Sequence, residues 1–187
     1  DVLVVDRHTL LAVHALHLVD EVHLRLARPE EDTWLMAQML FNATLEIGFL
    51  DVSEAERNAL TLGLAQELKV RGFHPGIVSR GYGREGNDVA AVDVRMEAKI
   101  AGDEPLLMAR RSACPVWVGR RRADAARALL EVSPEVDVLL CDDGLQHYSL
   151  GRDVELAVFD RRAAGNGWCL PLGPLREPLS RLLRVDA

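Results

Sequence analysis

The stretch VDVLLCDDGLQH, residues 136–147, decides how this chain is read. A short apolar run stops abruptly at two adjacent carboxylates, Asp142 and Asp143, with a Gly, a Gln and a His close behind. A near-continuous apolar run is how a strand buried on both faces of a parallel sheet looks in sequence. Sheets of that kind place their ligands at the carboxyl ends of the strands. Two neighbouring carboxylates repel each other unless a cation relieves them, and a hard divalent ion with oxygen ligands does so. A solvated Asp-Asp-Gly turn accounts for the same residues, and spacing alone leaves both readings open.

Working outward, the surrounding pattern supports the sheet. LTLGLAQELKVRG is helical and ends at Gly72, PGIVS is a strand, GDEPLLMARRSA a helix and PVWVG another strand. RADAARALLEV is helical, VDVLL is a strand, and VELAVFD is one more. Helix alternating with apolar strand predicts an α/β fold, a parallel sheet wrapped by helices. Upstream the pattern differs. DVLVV, residues 1–5, has the makings of a strand, and residues 8–50 show apolar spacing that predicts a helical hairpin, with Pro29 and acidic residues at the second helix start. His14, His17 and Glu21 fall on one face of the first helix, as metal ligands or as a solvated face.

Charge marks the same division. Residues 1–60 hold 11 Asp/Glu and 4 Lys/Arg, a net of -7, whereas residues 61–187 hold 18 of each and balance. The chain therefore divides into an acidic N-terminal helical segment, residues 1–52, and an α/β domain, residues 53–187. A net charge of -7 argues against nonspecific nucleic-acid binding. No apolar run approaches the roughly 20 residues that span a bilayer, and no secretory leader is evident. These features read as a soluble intracellular protein, and the start at Asp1 as a fragment. Cys114, Cys141 and Cys169 are widely spaced beside apolar residues, which fits buried thiols better than a disulfide set or a zinc site.

Four blocks carry a resemblance: GFHPGIVSRGYG, AGDEPLLMARRSACPVWVGRRRADAARALL, DDGLQHYSLGRDVELAVFD and GNGWCLPLGPLREPLSRLLRVDA. In this order they resemble the tetraacyldisaccharide 4'-kinases, over about residues 61–187. The resemblance implies a P-loop kinase type of fold. It also implies ATP-dependent phosphorylation of the 4'-hydroxyl of the lipid A disaccharide precursor, with ATP and Mg²⁺ required, at the cytoplasmic face of the inner membrane as a peripheral protein. Carried over by motif, Asp103 corresponds to the catalytic base. Asp142 and Asp143 correspond to the residues near magnesium. Ser79, Arg80, Tyr82, Arg122, Gln146, His147, Asn166, Arg176 and Glu177 correspond to residues around the acceptor. Arginine suits a phosphate already on that acceptor, because its planar fork bonds two oxygens at once. Without the resemblance, Asp103 and Glu104 before Pro105 are an ordinary acidic helix start.

The same resemblance implies a Gly-rich P-loop ending in Gly-Lys-Thr just before the helix LTLGLAQELKVRG, where this chain has DVSEAERNAL. No glycine lies between Phe49 and Thr61, and Arg57 and Asn58 stand where Lys-Thr is expected. Ser53 with Glu56 forms a capping-box pattern that uses the free N–H groups of the helix internally, and Glu54 and Glu56 would repel a polyphosphate. The nucleotide-binding residues are thus not identifiable from sequence. A second lobe carrying a His that pairs with the catalytic Asp is expected beyond Ala187. The competing expectation is a catalytically inactive remnant that retains a lipid-precursor or protein-binding surface. An exposed apolar stripe over residues 10–45 would offer a protein partner its contact.

Overall fold

The computed structural model describes residues 43–50, 54–142, 150–159 and 164–185. Its elements are β1 (Ala43–Leu50), α1 (Glu54–Val70), β2 (Pro75–Ser79), β3 (Ala90–Ala91), α2 (Ala98–Ala101), α3 (Asp103–Ser112), β4 (Val116–Val118), α4 (Arg122–Val132), β5 (Val138–Asp142), β6 (Val154–Phe159) and a closing 3₁₀ helix, Leu179–Arg184. The strands form one sheet in the order β3-β4-β2-β5-β1-β6. Every neighbouring pair is parallel except β3 with β4, which run antiparallel at the edge.

The apolar strand runs are explained by cover on both faces. All five residues of β2 are buried. Ile77, Val138 and Leu140 pack with Leu60, Leu64 and Leu68 of α1 and Met108 of α3. Their neighbours Val78, Leu139 and Cys141 point the other way and pack with Ala125, Ala126 and Leu129 of α4. Successive strand residues thus serve opposite cores, as the two-residue period of a strand requires. The approach of α4 is close: a Cβ on Gly76 would stand 3.0 Å from both Leu129 methyls and from Val136 Cγ1.

The helix boundaries follow local chemistry. Chain termination of α1 falls at Gly72 as expected, with φ of +90°. The Phe73 N–H there donates to the Leu68 carbonyl at 3.0 Å and Gly72 N–H to Lys69 at 3.0 Å, which satisfies carbonyls the helix end would leave open. RADAARALLEV is the whole of α4, and Asp103–Ser112 recovers the helix expected from GDEPLLMARRSA.

One expectation fails. Residues 43–50 were expected in the second helix of a hairpin, and they form a strand instead. Its Cα register runs from Ala43 opposite Val138 to Ile47 opposite Asp142 on one side, and from Leu45 opposite Val154 to Leu50 opposite Phe159 on the other. The partners lie about a hundred residues downstream, so a local spacing pattern carries no trace of them. Thr, Ile and Phe within ATLEIGFL are the strand-favouring residues that the helical spacing of the preceding segment obscured. β1, N-terminal to the division drawn at residue 52, lies inside the sheet. The strand expected at residues 1–5, the rest of the hairpin and the His14, His17, Glu21 cluster lie outside the described residues.

Of the three thiols, Cys141 is buried whereas Cys114 and Cys169 are half-buried, and none is in a disulfide among the described residues. Burial pushes the Cys114 thiol above its ordinary value, opposed by its hydrogen bond to Ser112 and by Lys69.

Leu64 is fully buried between α1 and the sheet. Leu64→Ala is expected to lower stability by about 2–5 kcal/mol, read as a drop in the urea midpoint with an unchanged slope.

Candidate active site at the carboxyl edge of the sheet

With β1, β2, β4, β5 and β6 parallel, their carboxyl ends share one edge. The order β4-β2-β5-β1 sets the end of β5, Asp142, between the loop that follows β2 and the start of α1. The backbone of Asp142 closes β5 as the sequence predicted. Asp143, Gln146 and His147 lie outside the described residues, as does the side chain of Asp142.

Three segments meet at this edge. The first is the loop after β2. Ser79 is buried at the strand end, and its Oγ accepts the Gly81 N–H at 3.4 Å. Gly81 has φ of +69°, and a Cβ there would stand 2.7 Å from Arg84 Cδ and 3.2 Å from Val118 Cβ, so the turn needs glycine for its torsion and for its space. Arg80 is exposed, and Tyr82 is 84% exposed.

The second segment is the start of α3. Gly102, φ +90°, precedes Asp103, and a Cβ on it would lie 3.4 Å from the Tyr82 carbonyl and 3.5 Å from Gly81 Cα. That close approach sets the exposed Asp103, first residue of α3, beside the Tyr82 loop. Asp103 and Glu104 stand in the first helical turn, where the dipole favours negative charge.

The third is the start of α1. Arg57 Nη2 lies 3.4 Å from Glu104 Oε1, with both side chains about three-quarters covered, and ties the first turn of α1 to that of α3. Asn58 beside it is 6% exposed, and its Oδ1 is buried with no hydrogen-bond partner among the described residues. A buried acceptor left so costs roughly 1–3 kcal/mol, which marks the place for a donor or a hard cation. Only residues 51–53 separate the end of β1 from the start of α1.

The remaining sequence-named residues fall elsewhere. Arg122 opens α4 but is 3% exposed, inside the domain. Asn166 uses its amide on its own loop: Nδ2 donates to the Leu172 carbonyl at 2.9 Å, and Oδ1 accepts the Trp168 N–H at 3.1 Å. A Cβ on Gly173 would overlap Asn166 Oδ1 and the Trp168 carbonyl. Arg176 is exposed and Glu177 half-buried, just past the buried Leu175. The segment is pinned at its far end, where Arg181 Nη2 donates to both oxygens of Glu155 at 2.7 and 2.9 Å and Arg152 lies 2.7 Å from the same carboxylate.

Sequence reasoning missed the Arg57–Glu104 pair and the burial of Asn58. It also missed a cavity of about 180 Å³ after β2, lined by Arg80, Tyr82, Arg84, Asn87 and Arg120 with three glycines. The repeated Gly and Arg of SRGYGREG and the run Arg120–Arg122 were its visible signals. A larger cavity, about 370 Å³, opens at the opposite edge beside Lys69, His74 and Cys114. It touches none of the candidate site residues named from sequence. Among the described residues no group of three His, Cys, Asp or Glu side chains is placed to hold a metal.

A family model described as tetraacyldisaccharide-1-P 4'-kinase matches residues 23–187, which extends the likeness upstream of the blocks recognised at 61–187. A tetraacyldisaccharide 4'-kinase of Dechloromonas aromatica (strain RCB) is 62% identical over 141 residues, covering 75% of this chain and 42% of that protein. One from Acidovorax sp. (strain JS42) is 45% identical over 172 residues, 91% of this chain and 51% of that protein. The crystal structure described as "apo" form LpxK from Aquifex aeolicus in complex with ATP is similar with a TM-score of 0.67 and 25% identity, covering 94% of this chain and 57% of that one. The chain thus spans about two-fifths to half the length of these curated relatives.

Gly173→Ala is expected to open the 164–175 loop without unfolding the sheet. Amide exchange in that loop should rise by about tenfold or more, the equivalent of roughly 1.4 kcal/mol, while β2 and β5 amides keep their protection.

Proposed function

The chain belongs to the tetraacyldisaccharide 4'-kinase family, and from that membership we propose that it takes part in ATP-dependent phosphorylation of the 4'-hydroxyl of the lipid A disaccharide precursor. The observation that carries this reading is the convergence of Asp103, the Arg80–Tyr82 loop and the first turn of α1 at the carboxyl edge, next to the end of β5.

Asp103 accepts the proton of the 4'-hydroxyl as that oxygen attacks the γ-phosphorus. A bond forms from the sugar oxygen to phosphorus, the bond from phosphorus to the β,γ-bridging oxygen breaks, and ADP leaves with the electron pair. The exposed position of Asp103 at a helix start suits a base that must reach a bulky acceptor. Glu104, engaged with Arg57, steadies the turn that presents it.

The residues fit a hard divalent cation. Asp142 ends β5, Asp143 follows it in the chain, and the orphaned Oδ1 of Asn58 adds a buried amide oxygen at the start of α1. Asp142, Asp143 and Asn58 would hold Mg²⁺, which supplies charge neutralisation for the phosphate oxygens when bound. Arg57, where Lys is usual, offers the cationic side chain for phosphate. Around the acceptor, Ser79 shapes the loop that presents Arg80 and Tyr82, and Arg176 and Glu177 with Gln146 and His147 complete the contacts implied by motif.

The acceptor carries four acyl chains, so the reaction belongs at a membrane surface, the cytoplasmic face of the inner membrane. Among the described residues no helix is long and apolar enough to cross a bilayer. The exposed Trp168, Leu170, Leu172 and Leu183 support peripheral contact instead.

A second reading has its own observation. The β1–α1 connection is three residues long and lacks glycine, a poor cradle for phosphate backbone contacts. On this reading the chain is an inactive remnant that binds lipid precursor, or binds a protein through residues 10–45. Calorimetric titration with Mg²⁺ and a nonhydrolysable ATP analogue separates the two. The kinase reading expects binding that Asp142→Ala removes, and no binding at millimolar analogue would favour the remnant.

Asp103→Ala is expected to abolish phosphoryl transfer to the lipid acceptor, a loss of at least about 10²-fold, with the circular dichroism spectrum and analogue binding unchanged. Turnover equal to the unmodified chain would remove Asp103 from the role of base.

A further inference from the structure

The cavity of about 370 Å³ lies at the amino edge of the sheet, at the far end of the strands from Asp103. It forms where three connections meet: residues 71–74 between α1 and β2, 113–115 between α3 and β4, and 133–137 between α4 and β5. Its volume is within the range of small-molecule sites, roughly 300–1,000 Å³. The frame is fixed by hydrogen bonds between connections. The His74 N–H donates to Asp137 Oδ1 at 2.7 Å, and the Asp137 N–H returns a bond to the His74 carbonyl at 3.1 Å. Lys69 Nζ donates to the Ser112 carbonyl at 3.1 Å and so ties the end of α1 to the end of α3.

The charges on this cavity are unmatched. Glu67, Glu97, Glu104 and Glu155 each lie within 3.4 Å of a basic side chain. Glu135, which lines the cavity, makes no ion pair or hydrogen bond among the described residues. Lys69 lines it too, and its ammonium meets a neutral carbonyl but no carboxylate among them. His74 is already answered, with Nδ1 3.3 Å from Asp137 Oδ2. An ammonium and a carboxylate thus share one cavity without meeting each other. They belong to opposite faces of the sheet, Lys69 to α1 on one side and Glu135 to the exit of α4 on the other. Phe73, Pro75, Pro115 and Val136 make much of the remaining wall apolar. In addition α1, α3 and α4 all end at this edge, where the negative ends of their dipoles favour a cation beside Glu135.

We infer that this cavity is a second binding site, for a small zwitterion: an α-amino acid with an apolar side chain, its carboxylate on Lys69, its ammonium on Glu135 and its side chain against Phe73 and the prolines. An anion alone would leave Glu135 unmet, and a cation alone would leave Lys69 unmet. A zwitterion answers both with charge-assisted hydrogen bonds, and an apolar side chain uses the rest of the wall. The site is separate from phosphoryl transfer and stands whether or not the chain is an active kinase. Bound there, the ligand joins the three connections from which β2, β4 and β5 start, so its occupancy stabilises the sheet by mass action.

The test is calorimetric titration of the full chain with L-leucine and L-phenylalanine, and with the carboxamide and N-acetyl form of each, which remove one charge at a time. Each blocked form should bind at least about tenfold more weakly than the free amino acid. Glu135 is exposed and unpartnered, so Glu135→Gln leaves the fold intact. It should erase the discrimination against the N-acetyl form and keep that against the carboxamide, and Lys69→Gln should do the reverse. Cys114 lines the cavity and locates the ligand: its alkylation by iodoacetamide should slow at least about tenfold when the site is saturated, while Cys169, outside the cavity, reacts at an unchanged rate. Absence of binding by both amino acids at millimolar probe would overturn the site. So would blocked forms that bind as tightly as the free ones, a pattern of discrimination that Glu135→Gln leaves untouched, or an alkylation rate at Cys114 that the ligand does not change.

Discussion

The placement of β5 between β1 and β2 is the constraint on which the rest depends. A central parallel strand gives up water on both faces and must be covered twice. Leu140 and Val138 face α1 and α3, while Leu139 and Cys141 face α4. Because the pairing is parallel, the strand delivers its last residue, Asp142, to the edge at which β2 ends and α1 begins. Burial of apolar side chains and the location of the candidate site are here consequences of one arrangement.

Much of that arrangement was legible in local sequence. The runs PGIVS, PVWVG and VDVLL are too short and too apolar to be surface helices, and RADAARALLEV and DEPLLMARRS carry helical spacing that the structure reproduces. β1 was not legible, since its identity as a strand comes from pairing with β5 and β6 and not from a period within ATLEIGFL. The two-residue β3 is below the length at which alternation can be recognised. The position of Asp103 at a helix start was readable from GDEP, but its proximity to the Tyr82 loop depends on the backbone contact at Gly102, which no pattern announces. Burial was the least legible property: adjacent arginines 120, 121 and 122 look alike in sequence and end up exposed, paired and buried.

The departures from the family pattern gather at the start of α1. A helix entered by three residues without glycine has little backbone with which to wrap a phosphate. It has side chains instead: Arg57 reaches across to α3, and Asn58 holds an acceptor oxygen below the surface.

The pairing of β1 has a consequence for the chain during its synthesis. Ala43 waits for Val138 and Leu45 for Val154, separations of 95 and 109 residues by the register. At roughly 5–20 residues per second, β1 leaves the ribosome about 5–20 s before either partner exists. Through that interval ATLEIGFL is an unpaired strand with both edges open. The first-made of the described strands is thus among the last to be secured.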